Sequence, residues 1–376
     1  MTAFLRKIFD SVDLVILIPL VFISAAGMIT MNSFVEESRF FEKQIIWFLV
    51  SLLVLIAVSR FDFRILRRKE TVITLFIGTC FILLFVLFTG PVKGARSWFD
   101  LGAFAFQPVD FVKIVLIILL AKYFSRRHIE IANLRHILVS GFYAFVFFGL
   151  VFMQPDFGSA IIIFAIWFGM VLVSGISKKH LIAVFLIGLL SFSGLWLFVF
   201  KEYQKNRITS FIHPLTDLQG AGYNAYQSTI AVGSGGFWGK GVGYGTQSKL
   251  QYLPEYETDF IFAAFSEEWG FVGAIILLTL YGLLIWRILD IAKKGASNFE
   301  TLFGFGVAIM IFAHLVIHVG MNIGIMPVTG ITMPFMSYGG SHLLAEFIAL
   351  GILMGQKSYA RVAHKTTSKN EIIGVV

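Results

Sequence analysis

The sequence has very little cysteine and little charge for its length. Its 376 residues include one cysteine, Cys80, which excludes a disulfide framework and a cysteine-based zinc site. Only 14% of the residues are charged, whereas 57% are hydrophobic and 42 are phenylalanine. Soluble domains carry about 25% charged and roughly 45–50% apolar residues. Because so few charges cannot cover a chain of this size with a water-soluble surface, we predict an integral membrane protein.

Long apolar runs account for the hydrophobic excess. A membrane-spanning helix needs ~20 apolar residues. The first run continues past Thr30 without a small-residue cleavage site, so we expect a retained span rather than a signal peptide. We predict one all-α polytopic membrane domain over 1–376, with about ten transmembrane helices. The predicted spans are roughly 14–33, 44–60, 72–90, 107–124, 137–153, 157–174, 180–200, 259–287, 301–326 and 335–356.

The basic residues favour one orientation. The net charge is +8, but Lys and Arg are dispersed between the apolar runs, which argues against a nucleic-acid partner. If both termini are cytoplasmic, 20 of the 30 Lys and Arg residues lie on the cytoplasmic side and nine lie outside. The positive-inside rule therefore predicts cytoplasmic termini. This topology leaves two long segments outside, 91–106 and the large loop 201–258 between the seventh and eighth helices. Long connections are usually functional or disordered, and we place the functional site on this outer side.

Two charged residues lie inside the fourth predicted span. Asp110 and Lys113 are three residues apart, so a helix brings them to one face, where they can pair. Ionisable groups within a span are costly and mark a functional site by default. A purely structural ion pair near the membrane surface is the alternative, and the sequence leaves both interpretations open.

Polar residues also stand at other outer ends of the predicted spans. Asp156 precedes the sixth span, where a carboxylate caps a helix N-terminus, and capping is the role we expect. In the segment 91–106, Arg96 is a forked donor suited to phosphate. Trp98 fits an aromatic belt at the membrane surface or a substrate contact.

Two segments resemble a nucleotide-binding loop and a zinc site, but each lacks residues that such a site requires. In the glycine-rich run 233–246, a P-loop would need Gly at 234 and Ser or Thr at 241, but the residues there are Ser234 and Gly241. A dinucleotide-binding fingerprint that starts at Gly241 would need Gly at 246, where Thr246 stands. The run therefore indicates backbone flexibility and a close backbone approach to a ligand. His314 and His318 are four residues apart, as paired zinc ligands can be, but no glutamate lies between them. We expect a packed histidine pair there.

The densest acidic cluster lies at the outer start of the eighth span. It contains Glu255, Glu257 and Asp259. Thr258 suits the N-cap position, which would place Asp259 in the first helical turn. A carboxylate held in a partly apolar cleft is a reasonable general base. Acidic residues that only decorate a helix start are the alternative interpretation.

Together these segments resemble the SEDS family (shape, elongation, division and sporulation) of peptidoglycan glycosyltransferases, over about residues 14–360. Seven motifs in the family order carry the resemblance. They are GARSW at 94–98, QPVDFVK at 107–113, QPDFG at 154–158, GKGVGYGTQS at 239–248, LPEYETDFIFA at 253–263, EEWGF at 267–271 and MPFMSYGGS at 333–341. Segments 98–102 and 222–224 resemble the RodA branch more than the FtsW branch. Asp110 departs from the pattern because the family usually has Glu there, and His342 stands where a second Ser is usual.

The resemblance implies an inverting glycosyltransferase that polymerises lipid II into β-1,4 glycan at the outer face of the bacterial plasma membrane. It places the catalytic carboxylate at Asp259, in agreement with the need of a hydroxyl nucleophile for a base. The leaving pyrophosphate needs cations. We expect these from Arg96 and Lys113, with a divalent cation, Mg²⁺ or Mn²⁺, as a further candidate. The remaining residues assigned to substrate binding are Trp98, Asp110, Gln247, Glu257, Thr258, Ser337 and Ser341.

The resemblance also implies partners and alternatives. The expected partners are lipid II, the nascent glycan, a class B penicillin-binding protein that cross-links the glycan, and other elongation-complex proteins. A flippase or transporter of lipid-linked precursors is one alternative, but it would need polar groups through the whole depth of the membrane. A division polymerase like FtsW is a second. A noncatalytic scaffold is a third, and it would not need Asp259.

Overall fold

The computed structural model describes residues 12–33, 39–90, 96–100, 102, 105–125, 134–175, 178–198, 202–213 and 220–373. This part of the chain is almost entirely helical. One short hairpin, β1 (Phe99–Asp100) and β2 (Ala105–Phe106), pairs antiparallel, and a 3₁₀ turn covers Phe63–Arg67. The helices are α1 (Leu14–Asn32), α2 (Arg39–Val58), α3 (Lys69–Val86), α4 (Pro108–Ser125), α5 (Leu134–Met153), α6 (Phe157–Val173), α7 (Lys178–Phe198), α8 (Glu202–Ile212), α9 (Ala221–Ser234), α10 (Thr246–Lys249), α11 (Ile261–Lys293), α12 (Asn298–Asn322) and α13 (Gly340–Ile373).

The helices confirm the predicted class, an all-α polytopic membrane protein. Each of the ten predicted spans coincides with one long helix: α1 to α7, then α11, α12 and α13. Six helices in the described part of the chain are long and apolar enough to cross a membrane: α1, α2, α3, α5, α11 and α12. The total of ten spans and the cytoplasmic termini stay predictions, as does the organisation of 1–376 as one domain.

The most buried helix is α4, which packs against α3, α6 and α12 and positions Asp110 and Lys113 near its N-terminus. The peripheral helices instead expose large apolar side chains: Phe85 of α3 is 66% exposed and Phe145 of α5 is 68% exposed. Burying apolar surface is the usual fate of such side chains in water. Their exposure here is consistent with contact to lipid.

The loop 201–258 contains regular structure, part of which its sequence suggested, because Tyr223, Tyr226, Ile230 and Val232 form a short apolar stripe compatible with a helix on the membrane surface. It holds α8, α9 and α10, and α9 packs against α11. Tyr226 of α9 is 45% exposed, and the predicted apolar stripe of α9 on the membrane surface stays a prediction. Residues 214–219 lie outside the described residues.

A break in α11 explains the glycine-rich run. Gly270 leaves the helical conformation, with φ 65° and ψ −165°. In an unbroken helix, the amides of Phe271 and Val272 would bond to the carbonyls of Glu267 and Glu268. Here these amides donate to the carbonyls of 236 and 237, while the amides of 240 and 241 donate to the two glutamate carbonyls. The close approach predicted for the run is therefore made to the backbone of α11.

Only glycine fits this close approach. Gly239 has φ 82°, and an added Cβ would lie 2.1 Å from the Glu268 carbonyl oxygen. The side chain of Glu267 strengthens the junction, since its Oε1 lies 2.8 Å from the Lys240 ammonium. Peptide groups at membrane depth must find partners within the protein. The run 235–243 supplies them to α11.

Candidate active site

A cavity of about 860 Å³ lies at the end of the bundle where α4, α6 and α13 begin. Its wall also includes the first turns of α2, the β1–β2 hairpin, Arg207 of α8, the segment that precedes α11 and the segment that follows α12. Of the ten predicted site residues, six line this cavity and four do not. The lining residues are Trp98, Asp110, Lys113, Glu257, Thr258 and Asp259, and those outside the lining are Arg96, Gln247, Ser337 and Ser341.

Asp259 lies on a tight turn rather than in the first turn of a helix. The Glu255 carbonyl accepts hydrogen bonds from the amides of Thr258, Asp259 and Phe260, and Glu255 itself has φ 51°. Helix α11 begins only at Ile261. The prediction of Thr258 as the N-cap was therefore wrong, because this turn uses the amides that a helix start would have used.

The cap of α11 comes instead from Asn322, the last residue of α12. Its Oδ1 accepts the amide of Ala263 at 3.0 Å, as a capping side chain does. Its Nδ2 donates to the Asp259 carbonyl, also at 3.0 Å. Asn322 is fully buried. It therefore fixes the start of α11 and the backbone of Asp259 together, and no local signal in the sequence pointed to it.

A second loop holds the residues just before Asp259. Ser337 donates its hydroxyl to the Thr258 carbonyl at 2.7 Å and accepts the Met333 amide at 2.8 Å. The Tyr338 amide donates to the Glu257 carbonyl at 2.8 Å. In the structure, Ser337 thus holds the cavity wall in place without lining the cavity.

Asp110 and Lys113 form the predicted ion pair. Asp110 Oδ1 lies 3.1 Å from Lys113 Nζ, and both residues are 3% exposed. Ser341 donates its hydroxyl to Asp110 Oδ2 at 3.1 Å and accepts the Gln107 amide at 3.3 Å. Ser341 therefore connects the start of α13 to the start of α4. It does not line the cavity itself, but it is hydrogen-bonded to Asp110, which does.

His342 is a site residue that the sequence marked as unusual but gave no role. Its Nδ1 lies 3.2 Å from Asp110 Oδ1, and its Nε2 lies 3.1 Å from Glu346 Oε1. The His314 ring lies 4.9 Å from the His342 ring, centroid to centroid. Both histidines line the cavity. His314 and His318 are both buried, as expected for packed histidines, and Nδ1 of each contacts a backbone carbonyl of 331–332.

Asp156 caps α6 as predicted. Its Oδ1 accepts the Ser159 amide at 3.0 Å, and its Oδ2 accepts the Gln107 side-chain amide at 2.9 Å. All three residues line the cavity. A capping group therefore also contributes polar surface to the site.

The cations of the cavity differ in part from those predicted. Lys113 lines it, but Arg96 is exposed outside it, with Nη1 3.5 Å from the Leu87 carbonyl. Arg207 of α8 lines the cavity and donates from Nη1 to the Thr329 carbonyl at 3.1 Å. Sequence reasoning missed Arg207, because nothing local distinguishes it from other basic residues of the large loop.

Gln247 belongs to a different cluster. Its amide donates to Glu267 Oε1 at 3.0 Å, beside Lys240 and Thr246, whose side chains contact the same oxygen. This places Gln247 at the junction between the glycine-rich run and α11. The predicted substrate-binding roles of Gln247, Arg96, Ser337 and Ser341 stay predictions.

The candidate metal ligands of the site are carboxylates and histidines. Within the described ranges, no group of three or more His, Cys, Asp or Glu residues is arranged to hold a metal ion. A cation held by protein ligands alone does not fit this donor set. Magnesium often binds one or two carboxylates together with substrate phosphates, and Glu257 and Asp259 fit that mode.

Comparison with known proteins places this site in a family. A model of the cell cycle protein family of FtsW, RodA and SpoVE matches residues 6–362. Stage V sporulation protein E of Bacillus subtilis is 35% identical over 93% of this chain and 95% of its own length. The peptidoglycan glycosyltransferase MrdB of Escherichia coli K12 is 38% identical over 76% of this chain and 78% of its own length.

Two solved structures have the same fold. A chain of a peptidoglycan synthase complex, described as coordinating polymerization and crosslinking, matches with a TM-score of 0.79 and 29% identity, over 93% of this chain and 98% of that chain. The rod shape determining protein RodA of Thermus thermophilus matches with a TM-score of 0.69 and 29% identity, over 92% and 96%. The chain therefore belongs to the FtsW, RodA and SpoVE family, the SEDS peptidoglycan glycosyltransferases.

Proposed function

We propose that the protein polymerises lipid II into β-1,4 glycan strands at the outer face of the bacterial plasma membrane. The observation that carries the proposal is the cavity, because it is lined both by the carboxylate of Asp259 and by the ammonium of Lys113. Glycosyl transfer from a lipid pyrophosphate needs a base for the attacking hydroxyl and cations for the leaving group. One cavity offers both.

The proposed reaction is a single displacement. The 4-hydroxyl of the acceptor GlcNAc attacks the anomeric carbon of the donor while Asp259 takes the hydroxyl proton. The new glycosidic bond forms as the bond to the pyrophosphate oxygen breaks, so the configuration at this carbon inverts. Lys113 and Arg207 carry the positive charge that stabilises undecaprenyl pyrophosphate as it leaves.

The two ends of the bundle support the outward orientation. Arg67, Lys122 and Arg287 lie toward the ends of their helical segments opposite the cavity. Lys357 lies midway along α13, where it pairs with Asp13 at the start of α1. The positive-inside rule assigns this basic end to the cytoplasm. The cavity then faces outward, as polymerisation of an exported precursor requires.

A cross-linking partner and a role in elongation are part of the proposal. The similar chain in a peptidoglycan synthase complex supports a class B penicillin-binding protein as the partner, alongside other elongation-complex proteins. The segments 98–102 and 222–224 favour the RodA branch. Restoring rod shape to cells depleted of MrdB, without restoring division to cells depleted of FtsW, would support elongation, and the reverse would support division. A divalent cation, Mg²⁺ or Mn²⁺, shared between the Asp259 region and the substrate phosphates, stays a proposal.

The direct test is polymerisation of labelled lipid II by the purified protein, with and without its penicillin-binding partner. Asp259→Asn keeps the size of the side chain and removes its basicity, so we expect glycan synthesis to fall below detection while membrane insertion is unchanged. Asp62→Asn is the matched control, because Asp62 is an exposed carboxylate paired with Arg64. Normal polymerisation by the Asp259 variant would contradict the proposed base. Transbilayer movement of lipid II without glycan synthesis would favour the flippase.

A further inference from the structure

His342 has contacts that the glycosyl transfer proposed above does not use. It is 7% exposed and lies in the first turn of α13 between two carboxylates. Nδ1 is 3.2 Å from Asp110 Oδ1, with hydrogen-bond geometry. Nε2 is 3.1 Å from Glu346 Oε1, an ion-pair contact whose angle is not that of a hydrogen bond. Each ring nitrogen therefore faces an anionic oxygen.

These contacts favour the protonated form of the His342 ring. A neutral imidazole carries one N–H and one lone pair, whereas the imidazolium carries two N–H groups. A positive ring charge is attracted by carboxylate oxygens at 3.1 and 3.2 Å even where the angle is not that of a hydrogen bond, so the position of His342 fits the imidazolium. The neighbouring His314 directs Nδ1 to the Thr332 carbonyl, as a neutral ring can. His342 is thus the charged member of the pair.

The charge of His342 changes what Lys113 can do. Asp110 Oδ1 is shared, because both Lys113 Nζ and His342 Nδ1 contact it. The Lys113 ammonium has three N–H groups, and one of them is directed to Asp110. The cluster of Asp110, Glu346, Lys113 and His342 is neutral with the imidazolium and carries one negative charge without it. A negative cluster on the cavity wall would repel a pyrophosphate.

We propose that His342 is a positioning residue of the lipid pyrophosphate site. Held as a cation between Asp110 and Glu346, it takes part of the carboxylate charge of Asp110 and leaves the Lys113 ammonium available to the pyrophosphate. The inference rests on the proposed function, since it needs a lipid pyrophosphate as the ligand. His342 of α13 would thereby affect pyrophosphate binding through Asp110 and Lys113 of α4.

The test measures binding of undecaprenyl pyrophosphate, which lacks a sugar and does not react, to the purified full-length protein in detergent. In His342→Gln, the amide can still donate to Asp110, but the positive charge is lost. We expect the dissociation constant to rise about tenfold or more, since one unit charge within several ångströms is removed. His318→Gln is the matched control, a buried histidine of α12 that does not line the cavity.

Charge rescue separates this role from packing. Adding Glu346→Gln to His342→Gln removes one negative charge and makes the cluster neutral again, so binding should return to within about twofold of the parent. Glu346→Gln alone leaves an excess positive charge and should bind at least as tightly as the parent. This single variant keeps the test valid if His342→Gln does not fold.

Three results are decisive. Parent-like binding by a folded His342→Gln variant, or weaker binding by Glu346→Gln alone, would overturn the role of His342. A double variant that stays as weak as His342→Gln would do the same, since it would show a packing effect rather than a charge effect. Absence of binding by the parent protein would overturn the proposed function itself.

Discussion

Asp259 depends for its position on a side chain 63 residues further along the chain. Asn322 bonds to the carbonyl of Asp259 and to the amide of Ala263, and so joins the end of α12 to the start of α11. A proton acceptor must stay within hydrogen-bond reach of the group it deprotonates. The position of the candidate base is therefore set by the side-chain amide of Asn322, whose hydrogen bonds are all to backbone groups.

Asn322→Ala should lower activity and stability together. It removes three side-chain hydrogen bonds, to Asp259, Ala263 and His318, each worth about 1 kcal/mol, and releases the backbone of Asp259. We expect kcat for glycan synthesis to fall by about tenfold or more, since small misplacements of reacting groups are costly. The melting temperature should also fall. Asn298→Ala, at the other end of α12, is the control, and unchanged kcat in the Asn322 variant would contradict the positioning role.

Lys113 and Asp110 should show a coupled effect. Lys113→Ala leaves a buried carboxylate with less compensation, so it should lower both the melting temperature and the glycan yield. Adding Asp110→Ala should restore part of the stability, because no lone carboxylate remains in the pair. It should not restore polymerisation if Lys113 binds the leaving group. Lys249→Ala, an exposed lysine, is the control, and parent-like polymerisation by the double variant would make the pair purely structural.

At the scale of elements, periodicity and composition predicted the helices and the contacts that depend only on residues close together in the sequence. The ten apolar runs coincide with helices, Asp156 caps α6, and Asp110 pairs with Lys113, because each follows from spacing along one segment. The start of α11 was misplaced because its cap comes from α12. The contacts of His342 and Arg207 were not predicted, since they depend on how α13 meets α4 and how α8 meets the segment that follows α12.

The glycine-rich run gives a test at this scale. Gly239→Ala would place a Cβ against the Glu268 carbonyl and force a non-glycine residue to φ 82°. A strained backbone position of this kind costs about 1–3 kcal/mol, and the clash adds to it. We expect a lower melting temperature and loss of glycan synthesis. Gly282→Ala is the matched control, since its Cβ would have no neighbour within 4 Å. Equal stability of the two variants would contradict the junction.

At the scale of the whole molecule, the bundle has a second polar centre at the end opposite the cavity. Asp13 caps α1 and forms ion pairs with Arg287 of α11 and Lys357 of α13. Burial raises the pKa of Asp13, but its hydrogen bonds to Arg287 and Lys357 outweigh this effect and lower the pKa from 3.8 to about 2. Three distant helices are thereby joined through one carboxylate.

The lowered pKa predicts an acid-sensitive contribution to stability. Asp13 stabilises the folded state fully above its unfolded pKa of 3.8, and this contribution is lost as the pH falls through about 2. Asp13→Asn should therefore lower the melting temperature by a constant amount at neutral pH. The difference from the parent should shrink between about pH 4 and pH 2. A difference that stays constant across this range would contradict the assignment.

The junction between the glycine-rich run and α11 also limits how the chain can change in length. Most loops tolerate inserted residues, because they are hydrated and their ends can shift. In 235–243, the carbonyls of 236 and 237 and the amides of 240 and 241 each meet one definite backbone partner in α11. One added or deleted residue would move the following groups out of register and leave peptide groups unpaired. Epitope tags and natural insertions should therefore be excluded from 235–243, although the segment belongs to the largest loop of the sequence.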